Sequence, residues 1–295
     1  MGPEIGTVFT SPAIKAVPSG MYDEGSAVNE IKAPAGVDPL KPSVARMYDY
    51  YLGGKDNFAA DREAAEKIIE ILPNLPDIAR ENRDFLIRAV TYLSQRGVRQ
   101  FLDVGAGLPT QRNVHQVAQE LAPESRIVYV DNDPIVLVHA RAILAENDRV
   151  RAIEADMREP EALVGHPEVR EHLDFSRPVA VLLLGVLHFI PDDEEAGKIV
   201  AALRTPLAAG SYLVVSHGSI GELSEGQEEE GRKVFSQTSV PGTTSRSLGQ
   251  VRAFFDGLDL VEPGVVPLHE WRPDADYAVV REGKAGALGG MGRVS

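Results

Sequence analysis

The spacing of apolar residues divides the chain into stretches of two periods. Val44, Met47, Tyr48 and Tyr51 recur at helical spacing, with Ser43 before them as a cap and Gly53 and Gly54 as a stop. Ala64, Ala65, Ile68 and Ile69 predict a second helix from Asp61 to Ile71, broken by Pro73 and Pro76. Ile78, Phe85, Leu86, Ala89, Val90 and Leu93 predict a third over residues 77–96, ended by Gly97. From there short apolar runs alternate with helical patterns. Strands are expected at Phe101–Val104, Arg126–Asp133, Val150–Met157, Val179–Leu184 and Ser211–His217. Helices are expected after Val114, over Pro134–Leu144, from Asp192 or Asp193 to Leu203, from about Ser219 to Phe235, and around Val251, Phe254 and Phe255 behind Ser245 or Ser247 as cap.

Strands separated by helices read as crossover units of a parallel sheet. Val179–Leu184 is apolar at every position, as a central parallel strand buried on both faces should be. Leu258–Leu268 and Tyr277–Arg281, joined through Trp271, are expected to close the sheet as a hairpin. The expected fold is α/β: a Rossmann-like, seven-stranded, mostly parallel sheet with a closing antiparallel hairpin, helices on both faces and an N-terminal helical cover. Residues 1–40 have no period and many prolines and predict a flexible tail. Residues 41–97 form the cover and 98–281 the core; the glycine-rich residues 282–295 predict a second flexible tail.

Charge and composition narrow the partners. The net charge of -14 argues against a general binder of nucleic-acid backbone, which needs a basic face. With no cysteine, disulfides, thiolate metal sites and cysteine nucleophiles are excluded, and a cytoplasmic setting is expected. The longest apolar run is of strand length, so no membrane association is expected. The histidines are scattered, and no metal site is expected.

Candidate chemistry gathers at the strand ends. Phe101-Leu-Asp-Val-Gly-Ala-Gly-Leu-Pro-Thr110 reads as a strand, a tight turn and a helix start, with Pro109 in the helix's first turn. Gly105 and Gly107 allow close approach of a ligand, and helix-start N–H groups should point at it. Asp131, at the tip of the second strand, is placed to accept from both ribose hydroxyls, beside Asn132, while Asp133 caps the next helix. Asp156 could accept from a purine amine, with Met157 against the ring, although an ordinary loop would read the same. Gly185 and Val186 open the exit of the fourth strand, and His188 follows, either as a base titrating near neutrality or as a structural histidine. Tyr48, Tyr51, Gly53, Lys55 and Asn57 mark either a packing helix and its turn or a lid.

A dinucleotide fold usually needs a third glycine where Thr110 stands, and no phosphate-binding lysine follows the turn, so an NAD-type oxidoreductase and a P-loop are disfavoured. The remaining ligand is a nucleoside without phosphates. S-adenosylmethionine meets this description: its amino-acid end suits the turn from Asp103 through Gly105 and Ala106 to Gly107, and its ribose suits Asp131.

The strand order and loop motifs resemble class I S-adenosylmethionine-dependent methyltransferases. More closely, the chain resembles the bacterial S-adenosyl methyltransferase family long catalogued as a domain of unknown function. The similar pieces are Pro42–Phe58, Phe101–Thr110, Val130–Pro134 and Glu270-Trp-Arg-Pro273. The resemblance implies the fold, the cofactor and its contacts at Gly105, Ala106, Gly107, Asp131, Asp156 and Met157. It also implies contacts on the cofactor's far side at Tyr48, Tyr51, Gly53 and Lys55. The expected activity is methyl transfer to an unidentified small-molecule acceptor, with His188, Tyr48 and Tyr51 as catalytic candidates. The alternative is a cofactor-binding regulator that does not catalyse.

Overall fold

The structure, a computed structural model, describes residues 37–109, 112–144, 147–219, 223–238, 240, 242–273 and 286–295. Residues 33–295 form one compact unit. The expected tail over residues 1–36 and the expected strand Tyr277–Arg281 lie outside the described residues.

Three helices come first: α1 (Val44–Tyr51), α2 (Ala59–Ile71) and α3 (Leu75–Gln95). Strands and helices then alternate as β1 (Gln100–Val104), α4 (Val114–Leu121), β2 (Arg126–Asp131), α5 (Pro134–Leu144), β3 (Val150–Glu154), α6 (Pro160–Gly165), α7 (Pro167–His172), β4 (Ala180–Leu184), α8 (Asp193–Arg204) and β5 (Tyr212–Ser219). The chain continues through α9 (Glu225–Phe235), α10 (Leu248–Ala253), β6 (Asp259–Leu260), β7 (Val266–Pro267) and β8 (Gly286–Arg293). The sheet order is β3-β2-β1-β4-β5-β8-β6, with β7 also paired to β8. The first five strands are parallel and β8 runs antiparallel to β5. The order reverses between β1 and β4, where open α/β sheets bind ligands at the carboxyl ends of their strands.

Residues of β4 alternate between two cores: Val181 and Leu183 face one, Ala180 and Leu182 the other. Both faces are therefore dry, which is why the strand sequence is continuously apolar.

The C-terminal segment corrects the expected tail. Residues 286–293 form β8, paired with β5 from Tyr212↔Arg293 to Ser219↔Gly286. This strand lies between β5 and β6. Its glycines are there because neighbours come close. A Cβ on Gly289 would stand 2.5 Å from Leu268 Cδ2 and 2.9 Å from Phe85 Cζ. Glycine in a buried strand marks such close approach, whereas composition alone reads it as flexibility. The expected strand 258–268 is likewise two short pieces, β6 and β7. Pro263, which has no N–H for a ladder, and Gly264 with φ +93° separate them.

The helical cover is tied down by a buried ion pair. Arg46 Nε donates to Asp61 Oδ2 at 2.7 Å, and Asp61 also accepts from the backbone N–H groups of Ser43 and Phe58. Asp61 is thus the third residue of α2, which closes the first turn on the Phe58 N–H and also fastens the segment before α1. A fully satisfied geometry of this kind is what lets a buried pair offset its desolvation. Ser43 precedes α1, but its hydroxyl does not cap the helix; it donates to Asp133 across the cavity mouth.

Candidate functional site

One cavity of about 650 Å³ opens along the carboxyl ends of β1, β2, β4 and β5 and runs beneath α1, α2, α3 and α9. That is within the usual range for sites that enclose a small molecule. Asp103, Gly105, Ala106, Gly107, Asp131, Asn132, Asp156, Met157, Gly185, Val186, His188, Tyr48 and Tyr51 all line it. Gly53 and Lys55 do not. Gly53 is exposed with φ +77°, ending α1, and Lys55 is exposed beyond it. The turn after α1 folds back on the buried Asp49, whose Oδ2 accepts from Asp56 N and Asn57 Nδ2. Asn57 therefore holds the turn and does not reach the cavity. Of the two readings of this stretch, a packing turn or a lid, Gly53, Lys55 and Asn57 take the first.

The glycine turn is built differently from the expectation. Gly105 N and Ala106 N both donate to Val130 O, and Gly107 N donates to Asp131 Oδ2 at 2.9 Å. None of these three N–H groups is free to point at a ligand. Nor does a helix follow at Pro109: α4 begins at Val114, capped by Asn113 with Gln116. Gly105 is required by φ +73° and by contact, since a Cβ there would stand 2.3 Å from Val186 Cγ1. The turn thus shapes the cavity wall and hands its polarity to Asp131.

Four carboxylates sit at this end: Asp103, Asp131, Asp133 and Asp156. Asp131 accepts from Gly107 N and Asp133 N and keeps acceptor capacity for two further donors. Burial pushes its pKa up to about 6. Asp103 is buried beside it, and burial, opposed by Arg83 and reinforced by Asp131, raises it to about 7. Asp133 caps α5 by accepting from Ile135 N, as its position suggests. Asp156 is half-buried and clasped by Arg158 through Nε and Nη2, which holds its carboxyl below the usual range.

The opposite end is neutral. His188 lies in a 3₁₀ turn, Leu187–Phe189, with its ring edge-on to His217 at 5.7 Å between centroids. Burial, then His217 and Arg246, depress its pKa to about 3. This corrects the expectation of a base titrating near neutrality: at pH 7 the imidazole is uncharged and holds a proton poorly. Its Nδ1 is sealed and has no hydrogen-bond partner. Tyr48 donates to Ala79 O and accepts from Asn82 Nδ2, and Asn82 Oδ1 accepts from Ser216 Oγ. Both hydroxyl functions of Tyr48 are therefore engaged. Tyr51 is buried, and burial raises its pKa, so its hydroxyl stays protonated.

The sequence reading passed over Arg246. Its guanidinium is fully buried and donates to Leu187 O, Ile190 O, His217 Nε2 and Asp193 Oδ1. His217 Nδ1 in turn meets Gly218 O at 2.7 Å, which fixes the ring as the Nδ1–H tautomer, with Nε2 accepting from Arg246. Arg246 comes from an irregular loop and has no periodic signal. Asn82 did have one: it interrupts the apolar stripe of α3 between Ile78 and Phe85. The Glu270–Pro273 piece is structural. Trp271 is fully buried, edge-on to Phe85 and Tyr92, and Arg88 holds its carbonyl.

No helix among the described residues is long and apolar enough to cross a membrane. The sequence matches the S-adenosyl methyltransferase family over residues 30–295. It is 40% identical to a protein from Thermobifida fusca YX whose crystal structure is described as that of a candidate methyltransferase; the match covers 90% of this chain and 99% of that one, with TM-score 0.80. It is 41% identical to a DUF574 family protein of known structure from Streptomyces avermitilis MA-4680, over 86% of this chain and 98% of that one, with TM-score 0.79. No curated protein matches the sequence.

Proposed function

The chain belongs to the S-adenosyl methyltransferase family, and is thus an S-adenosylmethionine-dependent methyltransferase; from that premise we propose that it methylates a small molecule bound in the cavity beneath α1, α2 and α9. The observation that carries this reading is the continuity of the cavity. One continuous volume joins the carboxylate end at β1 and β2 to an apolar chamber under the helical cover. A donor and an acceptor can therefore share it, and orientation and desolvation of the reactants are the main contributions such a catalyst makes.

The residues at the carboxylate end fit the cofactor. Asp131 has acceptor capacity left for two ribose hydroxyls, and Asp103, raised to about 7 by burial, gains a counter-ion in the cofactor's ammonium group. Asn132 and the Asp156–Met157 pair form the wall for the base, and Gly105, Ala106, Gly107, Gly185 and Val186 form a wall without bulky side chains. When bound, the cofactor supplies an electrophilic methyl group on a sulfonium. Tyr51 presents a protonated hydroxyl to the cavity. His188 orients the acceptor's X–H bond through its accessible nitrogen, while Tyr48, engaged on both sides, fixes the chamber floor.

Calorimetry tests this reading. Asp131→Ala should weaken S-adenosylmethionine binding about a hundredfold, the loss of two hydrogen bonds to a charged group at about 1.5 kcal/mol each. Unchanged affinity would remove Asp131 from the cofactor site. Binding should also depend on pH. Asp103 and Asp131 hold protons up to about pH 7 and about pH 6 in the free protein, and a bound cation and hydroxyl donors favour their ionised forms. Proton release should accompany binding at about pH 6, and affinity should rise from about pH 5.5 to about pH 7. Enthalpies measured in buffers of different ionisation heat report the protons; identical enthalpies would exclude the linkage. Stability of the free protein follows the opposite sign. Its raised carboxylates bind protons that the unfolded chain has already released, so stability falls as pH rises from about 4 to about 7.

A further inference from the structure

Resting on the proposed methyl transfer, the geometry points to a specific acceptor class: an uncharged, mainly apolar molecule whose one X–H group meets His188. Three observations carry this.

The first is where charge is absent. Among the described residues, Arg83 and Arg158 stand with the carboxylates at their end, and away from it the charged groups lining the cavity are Glu228 and Arg232 on α9. Both are exposed and they pair with each other at 3.9 Å, which places them at a rim rather than inside. The walls beneath the cover come from Met47, Ile68, Ile71, Leu75 and Phe235. A carboxylate or ammonium buried against these side chains would lose its hydration with no counter-charge, a cost that excludes it. An aromatic or aliphatic body gains from the same burial.

The second is the polarity of the floor. Tyr48, Asn82 and Ser216 satisfy one another in a chain linking α1, α3 and β5. They offer a shaped, neutral surface and no fixed charge to anchor an ionic group.

The third is His188. Its Nδ1 is sealed without a partner, so Nε2 is the nitrogen a ligand can reach. Neither ring nitrogen has a partner among the described residues. An unpartnered, neutral nitrogen in a chamber whose other polar groups are also neutral matches a ligand that brings a polar X–H group on an apolar body. Arg246 and its packed neighbours discourage a charge on the ring, so a ligand that would have to transfer a full proton before reaction is poorly served. The better match is a nucleophile that reacts through a lone pair and gives up its proton after methylation: the new bond forms to nitrogen or oxygen, the carbon–sulfur bond breaks, and the proton then leaves to solvent.

Probes of one shape and three charges test this. The protein is loaded with S-adenosylhomocysteine, and 1-naphthol, 1-naphthoate and 1-naphthylmethylammonium are titrated at pH 7 with fluorescence detection. Naphthol should bind at least about tenfold more tightly than either ion. Phe235→Asp should abolish that preference, Phe235→Leu should keep it, and both should bind S-adenosylhomocysteine as the natural protein does. Equal or tighter binding of an ion, no binding of naphthol to the loaded protein, or a preference that survives Phe235→Asp would overturn the inference. Failure of S-adenosylhomocysteine to bind would instead strike at the cofactor site proposed above.

Discussion

A chain ending before residue 286 is expected not to fold. The ten residues that this removes include β8, which pairs with β5 over eight positions and also holds β6 and β7. Without it, β5 becomes a long apolar edge, and the buried Ala287, Leu288 and Met291 leave both cores. The loss should show as insoluble protein or a collapsed circular-dichroism transition. A milder version isolates packing from chain length. Gly289→Ala puts a methyl group 2.5 Å from Leu268 Cδ2 and 2.9 Å from the Phe85 ring, both fully buried. Overpacking of this kind costs about 1–3 kcal/mol, and Gly289→Val should cost more. Denaturant unfolding measures it. If the truncated chain melted like the intact one, residues 286–295 would be the dispensable tail that their composition suggests.

Arg246→Met is the second large effect. It keeps the length of the side chain and removes every donor. Leu187 O, Ile190 O and His217 Nε2 are then left in a dry site with nothing to accept. Each neutral acceptor left unsatisfied in a buried site costs about 1–3 kcal/mol. The ion pair with Asp193 adds little, because that carboxylate is largely exposed. Stability alone would not separate a packing role from an electrostatic one, so the histidines supply a second readout. Burial is the first cause of the depressed pKa of both His188 and His217, and Arg246 is a smaller one. In a folded Arg246→Met protein, NMR titration should find both rings still below the normal histidine range but higher than in the natural protein. Unmoved values would show that Arg246 holds the turn at Leu187–Phe189 without acting on its charge.

Much of this molecule is legible in one dimension because its signals are local. The all-apolar run at β4 can only be a strand covered on both faces. Gly105 with φ +73° and Asp133 capping α5 follow from backbone rules that operate over a few residues. Asp131 at the tip of β2 follows from the crossover order, which is itself periodic. These places fix the carboxylate end of the cavity and the type of ligand it suits.

What the tertiary structure decided are the quantities that depend on neighbours distant in sequence. Of the two readings open for Gly53, Lys55 and Asn57, a packing turn or a lid, they take the first, because Asp49 draws the turn onto itself. Of the two readings open for His188, a neutral-pH base or a structural histidine, the base is disfavoured by burial first, and then by His217 and Arg246, 29 and 58 residues away in the numbering. The C-terminal glycines changed from tail to strand because Phe85, Leu268 and Phe255 press against them. A sequence states which residue can adopt a backbone angle or hold a charge. Only packing states what stands beside it, and burial, proton affinity and the need for a missing Cβ are all properties of that neighbour.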